Sequence, residues 1–166
     1  MNLSKYSSLF LILIVLFSCS DNNDNDGNSS DNYNRQALLS NIANNIILPA
    51  HTSFDLGLDN FSSNVSVFNQ DRSIGNLLNV QESFVEAYKM WQHIEMFNIG
   101  LAEEIYFIQK MNIYPANVTR IENNLNSDNI DLDNNPNQYS SQGFPAIDYL
   151  LFGIAETNEL ILDVYL

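Results

Sequence analysis

The chain has 166 residues, with 20 acidic against 6 basic side chains, a formal net charge of −14 and a single cysteine. So few cations argue against nucleic acid and anionic lipid headgroups as electrostatic partners, because phosphate binding needs clustered Lys or Arg. One cysteine excludes an intrachain disulfide, and a 45% hydrophobic content suffices for one modest core.

Residues 1–18 read as a bacterial signal peptide. Lys5 supplies the positive start, and Leu9 to Phe17 form an unbroken apolar run. That run is much shorter than the ~20 residues a membrane-spanning helix needs. It ends in Leu16-Phe17-Ser18-Cys19, which resembles a lipobox and makes Cys19 the predicted lipidation site. The alternative is an ordinary signal peptide with a chance cysteine. A diacylglyceryl thioether plus an N-acyl chain, at roughly 0.8 kcal/mol per buried methylene, gives a stable anchor in the envelope. The expected location is the outer membrane, on its periplasmic or surface face. Residues 19–32 then form an acidic, Asp/Asn/Ser-rich tether that cannot bury enough surface to offset its ordering entropy. As a flexible coil it would span roughly 20 Å.

Residues 33–166 are expected to form an all-α domain, an up-down helical bundle. Between Tyr33 and Asp55 the residues Leu38, Leu39, Ile42 and Ile46 lie on one helical face. Pro49 lacks an N–H and clashes with the carbonyl of Asn45, so the helix kinks or restarts there, just before His51. The segment 57–75 is polar and reads as irregular, with Phe61, Val65, Val67 and Phe68 as packing points. A second, strongly amphipathic helix is predicted over 74–98, with Ile74, Leu77, Leu78, Phe84, Val85, Tyr88 and Trp91 as its stripe. Past Gly100 a third helix would present Leu101, Ile105, Ile108 and Met111, ending at Tyr114-Pro115. Val118, Ile121 and Leu125 mark a short fourth helix, and 126–142 form a polar loop. A fifth helix opens at Gly143, with Pro145 in the first turn, where an N–H is unsatisfied anyway. A last apolar run covers Leu160, Ile161, Leu162, Val164 and Tyr165.

The stretch Gly143-Phe144-Pro145-Ala146-Ile147-Asp148, running on to Gly153, resembles the GxHxxE signature of the imelysin-like family. The run around Phe84, Ala87, Trp91 and Glu95, and the Tyr114-Pro115 junction, are also similar to that family. The resemblance implies an all-helical envelope protein linked to iron or other metal uptake, in a family that also carries a peptidase label. Imelysin-like domains comprise two related helical bundles, so the resemblance implies that this chain carries roughly the first, as a truncated member. A lone bundle would expose an apolar face and call for a protein partner or the missing second bundle. Two departures matter here: the His of the signature is Pro145, and its Glu is Asp148.

A His and a carboxylate three residues apart on a helix share one face and serve as metal ligands. In this copy Asp148 alone remains, and the alternative role of Gly143, Pro145 and the Ile147, Leu150 and Leu151 face is packing. His51 and His93 are the only histidines. With Glu95 or Asp148 they would make a site between facing helices if the fold brought them together. Asp148 and His51 are the candidate metal ligands, with iron, zinc or calcium as candidate cations. Asp131-Leu132-Asp133-Asn134-Asn135 resembles the start of a calcium loop, but Pro136 stands where Gly is needed and Gln142 where a bidentate Glu belongs. No zinc-peptidase, Ser-His-Asp, phosphate-loop or dinucleotide signature is present. The lipobox together with the family resemblance implies a non-enzymatic, envelope-anchored binding or accessory lipoprotein linked to iron or other metal uptake. The alternatives are a metallopeptidase-type enzyme built on His51, His93, Glu95 or Asp148, and a decayed structural fragment.

Overall fold

A computed structural model describes residues 33–166. The signal peptide, the tether and Cys19 lie outside the described residues. Among the described residues, all regular secondary structure is helical. The chain runs through α1 (Arg35–Ile42), a π-helical segment (Ala43–Ile47), α2 (Leu48–Gln70) and α3 (Ile74–Trp91). Next come two short helices, α4 (Leu101–Glu104) and α5 (Phe107–Met111), then α6 (Val118–Leu125) and a 3-10 turn (Pro136–Ser141). The last stretch holds α7 (Gly143–Asp148), a second π segment (Tyr149–Gly153) and α8 (Asn158–Tyr165).

The expected break at Pro49 takes a specific form. Pro49 sits in the first turn of α2, where its missing N–H costs nothing, and the preceding turn is widened into the π segment Ala43–Ile47. Neither α1 nor this π segment buries a residue, and Leu39 and Ile46 face solvent.

The segment expected to be irregular is helical instead: α2 continues through to Gln70. Its many Asn and Ser residues lie on the outer face, while Phe54, Gly57, Phe61, Val65 and Phe68 recur at helical spacing and face α3. Packing this stripe outweighs weak intrinsic propensity.

The α2–α3 turn is closed by side chains. Ser73 caps α3 by accepting from the Asn76 N–H, and Asn76 Nδ2 donates to both the carboxylate and the carbonyl of Asp71, at 2.9 and 2.8 Å. Along the helical hairpin Gly57 allows close approach. A Cβ there would lie 2.6 Å from Met90 Sδ and 3.4 Å from Ala87 Cα.

Helix α3 is the central element, and its buried face is Leu77, Val80, Gln81, Ser83, Phe84, Ala87 and Trp91. Of the predicted stripe, Leu77, Phe84 and Trp91 are buried, whereas Ile74, Leu78 and Val85 are exposed. The apolar arc is rotated toward Val80 and Ala87, whose smaller side chains fit between the two long helices. The helix also ends at Trp91 rather than at residue 98. Backbone bonds from the N–H groups of Ile94 and Glu95 to the Trp91 carbonyl turn the chain there, at 2.9 and 3.0 Å.

The predicted third helix is split in two at Tyr106, whose φ is +57°. An unbroken helix would align Leu101, Ile105 and Ile108. The break instead lets Phe107 meet the Trp91 ring edge-on at 5.4 Å and turns Ile108 and Met111 to the core, leaving Leu101 and Ile105 outside. Helix α6 forms as expected, with Ile121 buried.

The core gathers Phe54, Phe68, Leu77, Val80, Phe84, Trp91 and Ile94 with Phe144, Leu151 and Ile161 from the C-terminal part. Among these, Leu77 and Trp91 are fully buried. Tyr165 of α8 packs edge-on against Phe68 at 5.7 Å, and its hydroxyl donates to the Leu150 carbonyl at 2.8 Å.

Burial raises the Tyr165 phenol above its ordinary value. A raised folded value means that the neutral phenol is the form the fold favours. Its contribution is complete below the unfolded value, near 10, and is lost as pH rises through the folded one. Stability should therefore decline above about pH 10, and Tyr165→Phe should blunt that decline while lowering stability at pH 7 by about 1 kcal/mol. Urea unfolding at pH 7 and at alkaline pH measures both effects.

Candidate functional site

The signature segment lies at the junction of the core and a surface groove. Gly143 adopts φ +70°, and a Cβ there would fall 2.3 Å from the Met111 carbonyl oxygen and 2.6 Å from that of Lys110. Glycine is thus required twice over: for the left-handed backbone, and for contact with the C-terminal end of α5. Pro145 occupies the first turn of α7 as expected, so its lack of an N–H removes no helical bond.

Between them, Phe144 turns inward and is 3% exposed. Its ring stacks on Tyr88 at 4.7 Å and lies 5.7 to 6.2 Å from Trp91, Phe84 and Phe54. Of the face expected to pack, Leu151 is buried and Ile147 lies against the core, while Leu150 is half-buried.

The segment continues as the π turn Tyr149–Gly153, which releases backbone carbonyls from their usual partners. Two side chains take them up. The buried Gln81 donates through Nε2 to the Leu151 carbonyl at 2.7 Å and to Asn158 Oδ1 at 2.9 Å. Tyr165 takes the Leu150 carbonyl. Gln81 is a polar residue on the apolar stripe of α3, four positions after Leu77, and that misplacement was the signal sequence reasoning missed.

On the outer side α7 opens onto a groove of about 380 Å³. Its walls include Tyr88, Tyr114, Pro115, Pro145, Asp148 and Tyr149. Asp148 and Tyr114 are exposed, Tyr114 to 88%, and the Tyr114-Pro115 peptide is cis. The Tyr149 hydroxyl donates to Glu122 Oε1 at 2.7 Å. That hydrogen bond, with lesser contributions from burial and from the Glu122 charge, raises the Tyr149 phenol above its usual value. Behind the groove runs a polar ladder: the Tyr88 hydroxyl donates to Asn112 Oδ1 at 3.1 Å, and Asn112 Nδ2 donates to Glu95 Oε2 at 3.3 Å. The same Glu95 oxygen accepts from Trp91 Nε1 at 3.0 Å.

The other candidates are dispersed. His51 lines a cleft with Asp55, Leu58, Ile94 and Phe107, and His93 lines a different one with Asn45, Pro49, Ser53 and Met90. Neither cleft includes Asp148, and Glu95 is engaged by Trp91 and Asn112. In the calcium-loop-like stretch, Asp131 Oδ1 accepts from the N–H groups of Asp133 and Asn134 at 3.2 and 2.9 Å, a local turn.

Among the described residues, no group of three or more His, Cys, Asp or Glu side chains is placed to hold a metal ion. At the signature itself, proline offers no donor where the motif has histidine, and the neighbouring Glu122 is tied to Tyr149. The donor set therefore does not fit the metal that the full signature implies.

The architecture is that of an all-helical bundle in which a glycine-opened helix plugs a two-helix hairpin with an aromatic ring. The sequence profile of the imelysin family, described as Peptidase_M75, matches residues 47–164, and the chain belongs to that family. No curated protein and no solved structure matches the chain.

Replacing Gly143 by Ala should destabilise the fold by about 2–4 kcal/mol, combining left-handed strain with backbone collision. A lower denaturation midpoint at unchanged slope is the expected reading; an unchanged midpoint would contradict the close approach to α5.

Proposed function

We propose that this imelysin-family protein is a non-enzymatic, lipid-anchored binding or accessory component of the bacterial envelope, associated with uptake of iron or another metal. Its working surface is the groove of the signature segment, and it acts there without holding the metal through the signature. The substitution of Pro145 for the signature histidine, beside a solitary exposed Asp148, carries this reading. A single carboxylate is a poor metal site, since stable sites for transition metals bring several donors to one point. The groove has aromatic and proline walls, is open to solvent at Tyr114, and lies within the size range of small-molecule pockets.

The lipobox-like Leu16-Phe17-Ser18-Cys19 supports the anchor, and the acidic stretch that follows it supports a tether between lipid and domain. The link to metal uptake rests on the family resemblance, and an accessory role implies a protein partner.

Calorimetric titration of the full chain with iron, zinc and calcium should give no binding tighter than about millimolar. A micromolar, stoichiometric isotherm would overturn the reading. Separately, Cys19→Ala should move the protein from the membrane to the soluble fraction, and an unchanged membrane fraction would remove the anchor.

A further inference from the structure

The groove combines three features. Tyr88, Tyr114 and Tyr149 supply aromatic walls, Pro115 and Pro145 supply rigid apolar ones, and Asp148 supplies one carboxylate at the surface. Among the described residues, no lysine or arginine lines it. Lys89 pairs with Glu86, Arg72 donates to the Tyr165 carbonyl, and Arg120 donates to the Asn137 carbonyl. We propose that this groove is a receptor for an organic ammonium ion, a positive nitrogen carried on a small apolar body.

The chemistry follows from the lining. A tyrosine ring presents a negative face that attracts an alkylated or primary ammonium, and proline walls contact its methylenes without competing for hydrogen bonds. Asp148 supplies the counter-charge, and Glu122 adds a second carboxylate behind Tyr149. Tyr149 adds a specific element. By donating to the Glu122 carboxylate, its hydroxyl draws negative charge toward the ring, which strengthens attraction for a cation at the ring face. The same hydrogen bond raises the phenol above its ordinary value, so the hydroxyl stays a donor to Glu122. Phosphate-bearing or carboxylate ligands meet the opposite conditions: no cation to receive them and two carboxylates to repel them.

The same lining disfavours a bare metal ion: Asp148 is its one carboxylate, and the Tyr88 and Tyr149 hydroxyls are engaged with Asn112 and Glu122. An alkylated ammonium is weakly hydrated and loses little on entering such a groove, whereas a primary one keeps water on its open side. This proposal rests on the groove being the working surface. Its test uses neither metals nor membrane fractionation, so its failure is distinguishable from a failure of the metal or anchor reading.

The test titrates the full chain, purified in detergent, with choline and with its uncharged isostere 3,3-dimethylbutan-1-ol. Tyrosine ring resonances are followed by NMR. Choline should bind in the millimolar range with a preference of roughly five- to thirty-fold over the isostere, as expected for one or two ring contacts plus a carboxylate. Asp148→Asn should reduce that preference, and Tyr149→Leu should lower affinity for the cation more than for the alcohol; circular dichroism and the urea midpoint check that both variants fold.

A short peptide with one lysine, against the same peptide with norleucine, reads the source of the ammonium group. Tighter binding of the lysine peptide than of choline assigns it to a protein partner, and the reverse assigns it to a free small molecule. Equal binding of choline and the isostere, no tyrosine shifts up to about 50 mM, or an Asp148→Asn variant with the full preference would each overturn the proposal.

Discussion

The fold depends on the insertion of one aromatic ring. Phe144 enters between α2 and α3 and touches Phe54, Phe84, Tyr88 and Trp91, so a single side chain from the C-terminal part joins both long helices. A phenylalanine buries enough area to contribute several kcal/mol. Its contribution depends on position, because aromatic pairs are favourable only at particular offsets. The backbone around Phe144 is built to deliver it. Gly143 presses the chain against the carbonyls of α5, and Pro145 starts the helix immediately afterwards. The residues flanking the ring hold it in register.

Phe144, Ile147 and Leu151 fall at helical spacing on the core side with Asp148 outside, and the chain widens into the π segment where Leu151 is reached. A π turn leaves carbonyls without ordinary partners, and burying them bare would cost about 1–3 kcal/mol each. Gln81 and Tyr165 remove that cost from two directions, which ties α3 and α8 to the signature. Polar and apolar requirements therefore meet at one place, and the groove inherits its rigidity from it. Tyr88 shows the link most directly, since one face of its ring stacks on Phe144 while its side chain also lines the groove.

Much of this was legible in the residues. The all-helical class, α6, the restart near Pro49 and the helix opening at Gly143 all follow from periodicity and from the backbone rules of proline and glycine. The Gly143–Gly153 stretch also sufficed to mark the family. Other features were not legible. The segment 57–75 read as irregular because Asn and Ser have poor helix propensity, yet Phe54, Phe61 and Phe68 at a spacing of seven form a stripe that a heptad count would have found. The split at Tyr106 left no sequence signal, because a positive φ at tyrosine is imposed by the packing of Phe107 on Trp91. Gln81 could be seen as a polar residue in an apolar position, but its partner could not.

The amino-acid sequence by itself determined where helices start, which faces are apolar and which chemistry the signature has lost, because these are local properties of residue type and spacing. Only the tertiary structure decided that His51, His93 and Asp148 belong to three separate clefts. It alone showed that Glu95 is engaged by Trp91 and Asn112, and that Tyr88, Tyr114 and Tyr149 line one groove with Asp148. The physical reason is that spacing along a helix sets only the angle at which a side chain leaves it. Which angles converge is settled by how helices cross, and here the crossing is set by the ring of Phe144 and the closeness that Gly57 and Gly143 permit.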